Sequence, residues 1–137
     1  MSERHARLAG AIALAREEPV RVERADAASY VEGLALAPGR LTVIWHSVMW
    51  QYVPREQQER VTARLAAWAE QATVEAPLVH LFAEPTRRTP GDQHRFWVVA
   101  EAWPSDRPGD RPGDGPGDGE RRFLGQMAPH GIPVTWE

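Results

Sequence analysis

Apolar positions recur at helical spacing over residues 3–17, where Leu8, Ile12 and Ala15 fall on one stripe with Ala11 beside them. Ser2 suits the cap of this helix, Glu3 suits the positive end of its dipole, and Pro19 stops it. The stripe is thin, so the helix needs a surface to lie on. Residues 20–24 (VRVER) alternate and predict a short strand ending at Ala25-Asp26. A second helical stretch over about 27–36 carries Tyr30, Val31 and Leu34, and Pro38-Gly39 marks a turn. LTVIWH, residues 41–46, is nearly continuous in apolar residues, short and rich in β-formers. Such a run reads as a strand covered on both faces, as in a parallel sheet between helices. From Pro54 to Ala72 the period is helical again, with Val61, Leu65, Trp68 and Ala72 as the buried stripe. Glu56 and Arg60 stand four apart on its wet side, a pair worth about 0.3 kcal/mol.

The pattern then turns to strands: LVHLFAE (78–84), RFWVVAEAW (95–103) and RRFLGQMA (121–128). IPVTW (132–136) reads as a continuation of the last after a kink at His130-Gly131. The loop from Pro85 to His94 is too short for a helical crossover, so 95–103 should run antiparallel to 78–84. The order predicts an α/β fold with a mixed sheet. Its N-terminal strands are parallel and joined by helices through right-handed crossovers, its C-terminal extension is antiparallel, and the whole is half-Rossmann-like. We expect one domain over 1–137. Within it, 105–119 is a low-complexity loop of xPGD repeats without an apolar residue, which we expect to be mobile and open to shortening.

Charge and composition narrow the chemistry. The formal net charge of -3 argues against a nucleic-acid partner held by bulk charge. Cysteine is absent, which removes disulfides, thiol nucleophiles and thiolate metal sites. All 16 basic residues are arginine, so neither a Schiff-base lysine nor a phosphate-loop lysine exists. No run of eighteen apolar residues spans a membrane, and the alanine-rich start lacks the core and cleavage site of a signal peptide. We expect a cytoplasmic protein.

The segment VIWHSVMWQYVP, residues 43–54, is the richest in candidate chemistry. In open α/β sheets ligands sit beyond the carboxyl ends of the strands. That rule nominates His46, Ser47, Trp50, Gln51 and Tyr52 as a ligand pocket, with Asp26 after the first strand and Glu84 after the third. The competing reading is that Trp50 and Tyr52 pack the next helix while His46 and Ser47 cap it. A hydrolase triad is disfavoured, because His46 and Ser47 are strand neighbours that point apart and no G-x-S-x-G surrounds the serine. The histidines show no metal-ligand spacing, and His80, between Val79 and Leu81, reads as a hydrogen-bonded structural residue. The Gly-Asp pairs of the loop lack the pattern of a calcium repeat, and no glycine-rich cofactor loop exists.

Taken together, ERHARLAGAIALAREEPVRVERADAASYVEGL, LTVIWHSVMWQYVP, APLVHLFAEP and APHGIPVTW resemble the C-terminal part of a bacterial family known as domain of unknown function 2332. The segment carrying His46, Ser47, Trp50, Gln51, Tyr52 and Pro54 is the most specific element. Members of that family are usually longer, which implies a naturally short member, a truncated frame or one part of a split protein. The resemblance brings no activity with it. A second, fold-level resemblance is to the latter half of class I methyltransferases. It implies that Asp26 contacts the adenosine of S-adenosylmethionine and that the turn from His46 to Tyr52 borders the methyl donor. Two function classes follow: a methyltransferase-like domain lacking its glycine loop, or a non-catalytic module. The second would pair with itself or with a partner protein through an open sheet edge.

Overall fold

The computed structural model describes residues 3–104, 119–128 and 133–137. The elements, in chain order, are α1 (Glu3–Glu17), α2 (Ala27–Glu32), β1 (Thr42–Ser47), a single 3-10 turn (Trp50–Tyr52), α3 (Arg55–Gln71), β2 (Leu78–Thr86), β3 (Arg95–Trp103), β4 (Glu120–Met127) and β5 (Val134–Trp136). The five strands form one sheet in sequential order. β1 and β2 are parallel and joined through α3; every later pair is antiparallel. This is the mixed α/β sheet expected, with an antiparallel extension, but its parallel part is a single pair joined by one helix, α3.

α3 carries the stripe that its spacing predicts. Val61, Leu65 and Trp68 are buried, and they meet Ala28 and Val31 of α2 and Leu78 and Trp103 of the sheet in the main core. A smaller cluster joins Phe82, Trp97 and Val99, with Phe123 against it. Side chains alternate along a strand, and the register puts every sheet residue of both clusters on one face. On the opposite face of β1, Val43 and Trp45 stay 47% and 53% exposed.

Four local readings change. Residues 20–24 form no strand. Val20 and Val22 are its only apolar side chains and remain exposed, so the segment has too little to bury to offset its ordering. β1 is consequently an edge strand, covered on one face rather than two. Val134–Trp136 is a separate strand that folds back on β4. Gly125 admits that close approach, since a Cβ there would lie 2.5 Å from the Thr135 carbonyl oxygen. Finally, Arg60 pairs with Glu32 of α2 (2.5 Å and 2.9 Å), not with Glu56; the helix's own i,i+4 pair is Arg55–Glu59 at 2.8 Å. Tying α3 to α2 is the better geometry for a planar guanidinium, which binds both carboxylate oxygens. The thin stripe of α1 finds no surface: none of its residues is buried. The Ser2 cap, the xPGD segment at 105–118 and the kink at His130-Gly131 lie outside the described residues.

Candidate functional site

The site follows from strand alternation and register. On β2, His80, Phe82 and Glu84 share the helix-covered face, and β3 sets Glu101 opposite His80. β4 in turn sets Arg121 opposite Glu101. His46 of β1 lies beside Phe82, so its ring reaches the residues on either side of that phenylalanine. His46 Nδ1 is 2.9 Å from Glu84 Oε1, and His46 Nε2 is 3.0 Å from His80 Nε2. His80 Nδ1 is 3.0 Å from Glu101 Oε2, and Arg121 Nε is 3.5 Å from the other oxygen of that carboxylate. Glu84, His46, His80, Glu101 and Arg121 therefore form one polar row across four strands.

The turn after β1 braces the row. Val48 adopts φ = +52°, a left-handed conformation that a β-branched residue rarely takes, and its N–H donates to Ala83 O at 3.0 Å. The next two N–H groups, of Met49 and Trp50, donate to Glu84 Oε1 at 2.9 Å and 3.1 Å. Gln58 of α3 holds the 3-10 turn by donating to Trp50 O and Val53 O. One oxygen of Glu84 thus takes three donors. The other, Oε2, is buried without a hydrogen-bond partner, and the residue is only 5% exposed.

Each hydrogen bond needs its proton. The carboxylates accept from both Nδ1 atoms, so both carry hydrogen. The Nε2–Nε2 contact is a hydrogen bond only when one of its two nitrogens carries hydrogen as well. A hydrogen shared there joins the two rings into one acid–base unit. Burial holds His46 below its ordinary value of 6.5; the hydrogen bond to Glu84 opposes this, and the neighbouring His80 reinforces it. That direction favours the neutral form of His46, whose free Nε2 then accepts from His80.

A cleft of about 280 Å³ opens between this row and α3, walled by Trp50, Thr62, Leu65, Phe82 and Trp103. His46 stacks on Trp50 at 5.2 Å and on Phe82 at 5.7 Å. The ring nitrogens point at one another and not at a common centre. Among the described residues, no group of three or more His, Cys, Asp or Glu side chains is placed to hold a metal ion.

Of the residues nominated from sequence, His46, Trp50 and Glu84 line the cleft. Ser47 follows His46 on β1 and so points to the other face of the sheet. Gln51 and Tyr52 are exposed, Tyr52 by 77%. Asp26 caps α2 and is not part of the cleft lining: Ser29 N and Oγ each donate to its carboxylate at 2.8 Å, and they hold that group below the usual carboxylate range. Three members of the row, His80, Glu101 and Arg121, escape a reading by strand ends, because they sit within strands. A signal for the first two exists in the turn Thr89-Pro90-Gly91-Asp92. Counting out equally from the Pro90–Gly91 bond sets His80 opposite Glu101.

A second hollow, about 380 Å³ and apolar, runs along the free edge of β1 beneath α2, between Tyr30, Val31, Leu34, Ile44 and Met49. No helix among the described residues is long and apolar enough to cross a membrane.

Sheet, helices and the part-buried carboxylate–imidazole row define an α/β protein with a largely apolar cleft between α3 and the sheet, into whose wall that row is set. The family model described as "Uncharacterized protein conserved in bacteria (DUF2332)" matches residues 1–136, and the chain belongs to that family. No curated protein and no solved structure matches it significantly.

Proposed function

We propose that this chain is a small-molecule-binding α/β domain whose ligand sits in the cleft between α3 and the sheet, with the His46–His80 pair as its acid–base group. The observation that carries this reading is the 3.0 Å contact between two imidazoles, each backed by a carboxylate, in the wall of a cleft. Such a pair accepts or releases a proton without moving a side chain, and burial beside partnered charges is the setting in which acid–base groups are tuned. Methyl transfer from S-adenosylmethionine is a narrower version. Its support is the α/β element order, and the acid it would use for adenosine, Asp26, already accepts from Ser29. A fragment panel at millimolar concentration, with S-adenosylmethionine as one member, tests both in amide and indole NMR spectra. The expected result is shifts grouped at His46, Trp50, His80 and Trp103. Scattered shifts or none would remove the cleft reading; silence of S-adenosylmethionine alone would remove only the narrower one.

A second reading has its own observation. β1 is an edge strand, and no residue from Leu41 to Val53 is charged, so nothing on it repels another strand. This favours association of two copies of the chain through β1.

A further inference from the structure

We propose that the cleft takes an organic ammonium, a protonated primary amine on a flat apolar body; this rests on the ligand-cleft reading above. The hydrogen-bond inventory points that way. Every imidazole proton of the row is spent inside it: His46 Nδ1 on Glu84, the shared Nε2 proton between the rings, and His80 Nδ1 on Glu101; Arg121 Nε lacks a hydrogen-bond partner, but Arg121 is not part of the cleft lining. What remains unused in the cleft lining is an acceptor, Glu84 Oε2, on a side chain that is almost wholly buried. A buried polar atom without a partner is costly, and a donating ligand would relieve that cost.

Charge points to the same class. The row holds two carboxylates, and its one guanidinium, Arg121, faces Glu101 rather than Glu84. At the Glu84 end the formal charge belongs to the carboxylate, met there by neutral His46 and two backbone N–H groups. An anion brought to that end would meet Glu84; an ammonium would complete it. The walls agree. Trp50 and Phe82 flank His46, and aromatic faces attract cations. From α3 the cleft receives Thr62 and Leu65, neither of which is charged.

Benzylamine, benzyl alcohol and benzoate share a ring and differ in the group presented, so the three together form the test. On the full chain at neutral pH, benzylamine should shift the resonances of His46 and Trp50 and bind at least tenfold more tightly than benzyl alcohol, with benzoate weakest. Glu84→Gln should lose that tenfold preference while keeping its binding of benzyl alcohol. Because Glu84 also holds the turn at Met49 and Trp50, the melting curve of the variant is recorded alongside. If the variant does not fold, the ranking of the three probes on the parent chain decides. Equal or tighter cleft binding by benzyl alcohol or benzoate overturns the ammonium assignment and leaves the cleft reading standing. So does silence of benzylamine while other panel members shift the cleft. If nothing in the panel shifts it, both fall.

Discussion

At the scale of single residues the decisive quantity is the proton count. A neutral His46 accepts from His80; a second proton on His46 would remove that acceptor. His46 is held below 6.5 in the native state, chiefly by burial. The unfolded chain therefore binds this proton more readily. The stability that His46 contributes is complete above about pH 6.5 and is lost as pH falls from there towards its native value. The melting temperature should decline from pH 7 to pH 5, and His46→Phe, which keeps the flat ring against Trp50, should show a shallower decline. An equally steep decline in the variant would mean that other groups carry the acid sensitivity.

At the scale of elements, β1 and the turn behind it hold the site in place at a local cost. Val48 sits in the left-handed region, at about 1–2 kcal/mol for a residue other than glycine, and more readily strained because it is β-branched. The following N–H groups reach Glu84 only because the chain turns there. Asparagine tolerates that conformation, so Val48→Asn should raise stability by about 1 kcal/mol in denaturant titration while leaving the Glu84 contacts in place. A loss of stability would show that the side chain of Val48 matters more than its backbone.

What could be read from the sequence also divides by element. The stripe of α3 and the strand at 95–103 are self-contained, because their pattern alone says which side chains are buried or how long the run is. The short loop before 95–103 likewise made an antiparallel pair the natural expectation. VRVER and LTVIWH are different: whether five alternating residues pair, and whether an apolar run is covered once or twice, depends on neighbours that the local pattern does not contain. The site divides in the same way. His46, Trp50 and Glu84 follow from their place at strand ends, whereas His80, Glu101 and Arg121 become members only through the register of three strands.

At the scale of the whole molecule, apolar surface is unevenly spent. Core packing gathers on one face of the sheet, while Val43 and Trp45 on β1 and Leu8, Ile12 and Leu14 on α1 remain largely exposed. Under the second reading, two β1 strands meet across a two-fold axis. Each Trp45 then lies near the partner's edge, where an arginine would be buried against apolar surface. Equilibrium sedimentation should show a dimer that Trp45→Arg returns to monomer; a parent chain that stays monomeric at high concentration would count against the pairing.

The two margins of the sheet are unequal. β1 offers six residues and no charge, whereas β5 offers three and is followed by Glu137, whose carboxylate Arg88 grips with both terminal nitrogens. Among the described residues β1 is the only long margin, so under the second reading a like-to-like contact through it would close at two and leave no end from which to grow into a fibre.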